Sequence, residues 1–385
     1  MDKLLIIIPD RLSDLIRKGE ITARYYNPGQ LFSEVHILMT NDDRPDVAAL
    51  QKTVGGARLI LHNLPSPKIR NTLGWQEPLI RPWIEQGVEI ARQISPSLVR
   101  THNNFLEGYL ASEIKQQLGV PFATSLHGVW DRDGLITPRD KFVKLFRQRF
   151  ERISMQNADA VIAVYEPIIR YAQEYGAKNI HLVYNIVSGQ IEKKQGSQLS
   201  SPPRLITINR QVREKNPENI IRAIRDIECE YVIVGDGPYH EHLQEVARES
   251  GCADKVRFIK ALPNEQICSM LKDFDLMVSH VDYWGMSKTV IEASLAGIPT
   301  VINHHPIMPI PEYQGGWLCM CQNTPEGYRS AIQSLLSDDG ARTRLAQTAY
   351  QHARSYFDPQ VMEDKVVSIY KQVIANTNSK VLIES

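Results

Sequence analysis

The chain predicts an α/β protein built from two doubly wound, Rossmann-like domains. Three observations carry this. Its 385 residues exceed what one ordinary core accommodates. Short runs rich in Val, Ile and Leu alternate with amphipathic stretches along most of its length. A polar, proline-closed segment breaks that alternation near the middle. Apolar strands alternating with helices imply parallel sheets covered on both faces.

In the first half the strand candidates are LLIII (4–8), EVHIL (34–38), ARLIL (57–61), LVRTH (98–102), FATSLH (122–127), AVIAV (160–164) and IHLVYN (180–185). Between them GYLASEIKQQLG (108–119) spaces its apolar residues three to four apart, as a helix does. In the second half they are RLITIN (204–209), YVIVG (231–235), VRFIK (256–260), LMVSH (276–280) and TVIN (300–303). PENIIRAIRDI and GPYHEHLQEVARES are helical segments among them. The segment VSGQIEKKQGSQLSSPP (187–203) has little apolar surface to bury and reads as a linker. The predicted organisation is one domain over 1–186, a linker over 187–203, a second domain over 204–365, and a helix with a tail over 366–385. Two such domains flanking a linker form a cleft, and ligands of such sheets sit at the carboxyl ends of strands.

Composition excludes several classes. Basic and acidic side chains balance at 44 each, which argues against nucleic acid as the main partner. No apolar run approaches the roughly 18 residues that span a bilayer. LLIII, cut short by Pro9, is too brief for a secretory segment, so a cytoplasmic protein is expected. The five cysteines (229, 252, 268, 319 and 321) lack zinc-ribbon spacing and read as reduced thiols, with no metal site. RDKFVKLFRQRFER (139–152) carries six basic and two acidic residues among apolar ones. It reads either as a helix lying peripherally on an anionic membrane or as an ordinary packing helix.

Three strand-end loops carry ligand chemistry. In NRQVREK (209–215), Arg210 and Lys215 are placed to clamp a diphosphate, unless the loop is simply a solvated basic turn. VGDGP (234–238) makes a tight glycine turn before a helix. A dinucleotide fingerprint would need glycine at position 240, where His240 stands, so a nicotinamide enzyme is disfavoured. In WGMSKTVIEASLAGIP (284–299), Gly285 permits close backbone approach and Ser287 suits a helix N-cap. The helix from about Lys288 would aim its free amides at an anion. Glu292, a little over one turn in, is a poor phosphate ligand but suits sugar hydroxyls; alternatively it only complements the helix dipole.

Taken in order, NRQVREK, VIVGDGP, DKVRFIKALPNEQICSMLKDFDLMVSH, WGMSKTVIEASLAGIPTVI and GGWL resemble the donor half of retaining GT-B glycosyltransferases, family 4, over residues 204–375. LVRTHNNFLEGYLASEIKQQLGVPFATSLHG and NADAVIAV with YNIV look like that family's acceptor domain. FDPQVMEDKVVSIYKQVI looks like its helix that crosses back to the N-terminal domain. The resemblance implies that Arg210 and Lys215 hold a donor diphosphate and Glu292 binds the nucleotide ribose. It implies that the backbone of Gly285, Met286, Ser287, Lys288 and Thr289 touches the donor. His127, in SLHG, would reach the transferred sugar, and with Glu292 it forms the catalytic pair. Gly19, in RKGEI, stands where the family has a glycine-rich turn. Acceptor candidates are Asn103, Asn104, Trp130 and Asp131.

One position departs from the pattern. The family's second glutamate, eight residues before the ribose-binding one, is here Trp284, and the nearest acid is Asp282. Either Asp282 replaces that carboxylate, or Trp284 stacks on a sugar face, or the donor site is degenerate. The implied activity moves a sugar from a UDP- or GDP-sugar to a glycan or lipid-linked acceptor, with retention of configuration, in cell-surface polysaccharide or glycolipid assembly. Neither a cofactor nor a metal is expected. The alternatives are a GT-B sugar-nucleotide epimerase and a sugar-nucleotide-binding partner subunit without turnover.

Overall fold

A computed structural model describes residues 2–67, 77–128, 140–187, 191–282, 285–305 and 309–384. The chain divides into two units: Met1–Asn185 together with Gln360–Ser385, and Ile186–Pro359.

The first unit contains β1 (Lys3–Ile8), β2 (Glu34–Met39), β3 (Arg58–Asn63), β4 (Leu98–Thr101), β5 (Phe122–Leu126), β6 (Ala160–Ala163) and β7 (Ile180–Leu182). They form one sheet in the order β3-β2-β1-β4-β5-β6-β7, every pairing parallel. Successive side chains of a strand point to opposite faces. Leu5 and Ile7 of β1 join Trp83 and Val88 of the helix Glu77–Ile94 and Leu110 and Ile114 of the helix Leu106–Leu118. Leu4, Ile6 and Ile8 are equally buried. A strand covered on both faces needs an unbroken apolar run, which is why LLIII does not alternate. Truncating Leu110 to Ala in this core would cost about 2–5 kcal/mol.

The helix Pro359–Glu384 packs on the first unit. Glu363 accepts from Arg24 at 2.7 Å and from the Gly29 amide at 2.8 Å, and the Tyr370 ring lies 6.3 Å from Phe32. The helix Asp140–Asn157 is a packing helix over its described side chains. Phe150 sits edge-on to Tyr109 at 4.4 Å, and buried Glu151 bonds Arg147 at 2.6 Å and Tyr171 at 2.9 Å. Arg147 and Phe150 are therefore committed to the core, while Arg149 and Arg152 on the same helix are exposed. The side chains of 139–146 lie outside the described residues. Among the described residues, no helix is long and apolar enough to cross a membrane.

The second unit contains β8 (Arg204–Ile208), β9 (Glu230–Val234), β10 (Val256–Ile259), β11 (Leu276–Ser279), β12 (Thr300–Asn303) and β13 (Cys319–Cys321), in the order β10-β9-β8-β11-β12-β13 and again all parallel. The segment read as a linker belongs to this unit over its described residues, and the breaks fall after Asn185 and Pro359. Asp275 explains the difference. Its carboxylate is buried and collects Lys194 Nζ at 2.6 Å and the Arg204 amide at 2.8 Å, with the Ser200 amide at 3.2 Å. Arg342 adds a bond to the Ser197 carbonyl at 2.9 Å. A buried carboxylate must find donors, and here the polar segment supplies them.

In each sheet the chain reverses direction beside the first strand of its unit: between β1 and β4, and between β8 and β11. Loops leaving the carboxyl ends of two such strands diverge, and the crevice between them is the usual ligand position of a doubly wound sheet.

Candidate functional site

The reversal point of the second unit gathers most of the residues singled out from sequence. After β8 the backbone turns through Asn209–Lys215, with a short 3-10 turn at Arg213–Lys215. After β11 it passes Gly285 into the helix Lys288–Leu295. The two are tied directly: Thr289 Oγ1 donates to the carbonyl of Ile208, the last residue of β8, at 3.3 Å. Arg210 and Lys288 are exposed, and neither has an ion-pair partner among the described residues. Lys215 is half-buried, its carbonyl taking the Asn209 side chain at 2.7 Å.

The helix begins at Lys288, as its sequence predicts, but Ser287 is not a capping side chain. Its hydroxyl pairs with Thr289 Oγ1 at 2.8 Å, and its amide donates to Tyr313 Oη at 2.9 Å. The first-turn amides of Lys288 and Thr289 have no hydrogen-bond partner among the described residues. Amides left open at a helix N-terminus attract anions. Gly285 holds φ at 152°, a region that favours glycine. Met286 is half-buried beside it. Glu292 is 2% exposed and receives a hydrogen bond from Asn264 at 2.9 Å. Asn264 opens the helix Asn264–Met270, directly after the KALP loop. Asp282 is exposed just beyond β11, and Trp284 lies outside the described residues.

The glycine turn 235–237 is forced by a close crossing. A Cβ on Gly235 would overlap the carbonyl of Asn209, and one on Gly237 would overlap that of Gln211. Gln211, fully buried, bonds this turn from both its backbone and its side chain. The floor under the β11 loop is equally fixed. Asn303 exchanges two 2.8 Å bonds with the backbone of Val281, and Tyr328 Oη bonds Asn303 at 3.1 Å.

Sequence reasoning missed Gln211, Asn264, Asn303 and Tyr313. The first two stood inside quoted motifs, but a neutral amide carries no visible charge signal. Tyr313 comes from a distant loop.

The first unit has its own constellation at the ends of β4 and β5. His127 follows β5, is exposed, and lies 5.5 Å ring to ring from His102 after β4. His102 packs against Tyr25 and Tyr26, each at 5.5 Å, and Arg100 bonds the Tyr25 carbonyl at 3.1 Å. Burial, reinforced by Arg100 and His127, holds the His102 imidazole well below its ordinary pKa, so it is neutral. Asn103 spends its Oδ1 on the Phe105 amide at 3.1 Å, and Asn104 is buried. Gly19 is not in a strand-end loop. It closes the helix Leu12–Lys18 in the left-handed conformation, φ 66°, and its amide bonds Ile16. Trp130 and Asp131 lie outside the described residues. Among the described residues, no three His, Cys, Asp or Glu side chains are arranged to hold a metal ion.

Two parallel, doubly wound sheets with a returning C-terminal helix define the GT-B class. A family model described as glycosyl transferases group 1 matches residues 189–352, and one described as glycosyltransferase family 4 matches residues 32–188. The chain belongs to this family of glycosyltransferases. It is 23% identical over 305 residues to the N-acetyl-alpha-D-glucosaminyl L-malate synthase of Bacillus anthracis, covering 74% of this chain and 76% of that protein. In fold it is similar to the sucrose-phosphate synthase of Thermosynechococcus elongatus, with a TM-score of 0.73 and 14% identity, covering 98% of this chain and all of that one. It is similar also to Anabaena HepE in complex with UDP, with a TM-score of 0.71 and 14% identity over 96% of this chain and all of that one.

Proposed function

We propose that the second unit binds a nucleoside diphosphate sugar, UDP- or GDP-linked, and that the enzyme passes the sugar to a glycan or lipid-linked acceptor with retention of configuration. The observation that carries this is the reversal point of the second sheet. There Lys288 and the open helix amides stand one helical turn from a buried, oriented carboxylate. Arg210 lies on the loop after the neighbouring strand, and neither cation has an ion-pair partner among the described residues. Breaking an anomeric bond to a diphosphate leaves negative charge on the phosphates, and fixed positive groups lower that barrier most effectively. Arg210, Lys215, Lys288 and the amides at 288–289 supply that charge in this reading, without a metal. Glu292 takes the ribose hydroxyls. The complex of Anabaena HepE with UDP, a protein of similar fold, agrees with this choice of donor.

His127 is assigned to the transferred sugar, and Asp282, exposed at the end of β11, to the place of the carboxylate that Trp284 displaces. In a same-face attack, one route to retention, the acceptor oxygen bonds the anomeric carbon as the bond to the diphosphate breaks. The departing phosphate oxygen takes the acceptor proton. Asn103, Asn104, Trp130 and Asp131 are assigned to the acceptor. Cell-surface polysaccharide or glycolipid assembly on the cytoplasmic side is the setting. Any membrane contact would be made through 139–152.

Calorimetric titration with UDP, GDP and ADP, on wild type and on Glu292→Ala, tests the donor site. Binding of one nucleotide, lost in the variant, supports it; no binding to wild type overturns it. Binding without turnover across a broad acceptor panel would make the chain a sugar-nucleotide-binding partner subunit instead.

A further inference from the structure

Gln211 makes four hydrogen bonds to the single stretch 235–240. Its amide donates to the Asp236 carbonyl at 3.0 Å, and its own carbonyl accepts from the Tyr239 amide at 3.0 Å. Its side-chain Nε2 donates to the Gly235 carbonyl at 2.8 Å, and its Oε1 meets His240 Nδ1 at 2.7 Å. The side chain is fully buried, and the residue immediately follows Arg210.

The pattern fixes the proton on the histidine. Because Nε2 of Gln211 is spent on a carbonyl, the end facing His240 is an acceptor, so His240 carries its hydrogen on Nδ1. Its Nε2 then accepts from Gln244 at 3.1 Å, and the ring stands edge-on to Phe258 at 5.4 Å. Gln211 is held by the glycine turn and by the start of the helix His240–Glu249.

We infer that Gln211 is a positioning residue for the donor diphosphate: it locks the Arg210 loop onto the glycine turn so that the Arg210 backbone is set before any ligand arrives. This rests on the donor reading above. Without the lock, Arg210 is an exposed cation on a loop whose ordering must be supplied by the ligand, and affinity falls by that cost. The effect is confined to the phosphates, since Glu292 and Asn264 are held by other elements.

The substitution Gln211→Glu gives a readout that loosened packing does not. An ionised carboxylate cannot donate to the Gly235 carbonyl; a protonated one can, while still accepting from His240. The titratable side chain in contact with that position is His240 on the helix; Arg210 precedes it in the chain, and Asp236, whose carbonyl takes the Gln211 amide, is exposed on the turn. Burial raises a carboxyl pKa, so the donor affinity of the variant, taken relative to wild type at the same pH, should recover as pH falls from about 8 to 5.

The experiment titrates wild type, Gln211→Ala and Gln211→Glu with UDP and GDP, and with uridine and guanosine by NMR, across that pH range. Expected are a loss of about tenfold in diphosphate affinity for Gln211→Ala, an unchanged nucleoside affinity, and acid recovery in Gln211→Glu. Should the alanine variant not fold, the glutamate variant at low pH decides alone. Unchanged diphosphate affinity, an equal loss for nucleoside and diphosphate, or a flat pH response in Gln211→Glu each overturns the inference. If wild type binds neither UDP nor GDP, the donor reading itself falls, a distinguishable failure.

Discussion

Asn264 donates its side-chain amide to Oε1 of Glu292 at 2.9 Å, joining the loop after β10 to the helix after β11. The carboxylate is thereby aimed before a ribose arrives. Asn264→Ala should raise the donor KM about tenfold with kcat changed less than threefold. Asn264→Asp should be worse at neutral pH, because it sets two carboxylates against each other, and should improve as pH falls. Steady-state kinetics with the donor varied would check both; a fall in kcat alone would place Glu292 in the chemical step.

Gly235 and Gly251 both hold positive φ, at 141° and 67°, but only Gly235 faces another backbone. A Cβ on Gly235 overlaps the Asn209 carbonyl, whereas one on Gly251 meets nothing within 4 Å. Gly251→Ala should cost about 1 kcal/mol from its backbone angle alone. Gly235→Ala should cost at least about 3 kcal/mol and abolish donor binding. Denaturant unfolding of the two variants side by side gives the comparison.

The Lys194–Asp275 pair makes stability depend on acid. Burial pushes the Asp275 carboxyl up, but Lys194 and the amides of Arg204 and Ser200 outweigh it, and the pKa lies below the ordinary aspartate value. A depressed folded pKa contributes stability that is full above the unfolded pKa, about 3.9, and is lost as pH falls through the folded value. Asp275→Asn should therefore lower stability by about 3–5 kcal/mol at pH 7. Its gap from wild type should narrow below about pH 4. Thermal melts across that window would show the convergence or its absence.

His127 is exposed, with its ring against neutral His102. If it contacts the transferred sugar, His127→Ala should lower kcat by about 100-fold and leave the affinity for the nucleotide within about twofold. Near-wild-type turnover would remove His127 from the mechanism.

All twelve strands read from the sequence are present among the described residues, because a buried parallel strand needs a continuous β-branched run that is visible without context. The thirteenth, Cys319–Cys321, is a three-residue edge strand, too short to show a period. The charged candidates Arg210, Lys215 and Glu292 stand out in the sequence by their charge at strand and helix ends. Gln211, Asn264 and Tyr313 were not, since their roles lie in which atom they touch, and hydrogen-bond geometry leaves no periodic trace. The segment 187–203 misled for a related reason. Few apolar residues signal little hydrophobic burial, yet Asp275 binds that segment through Lys194 and the Ser200 amide.

The helix that returns to the first unit gives the chain an order of assembly. Met1–Asn185 is made before the second unit but lacks Glu363 and Tyr370, which emerge only after it. Ile186–Pro359 is contiguous and has every residue it needs beforehand. Domains fold as units as they emerge, so here the second unit can be finished while the first still waits for its closing helix.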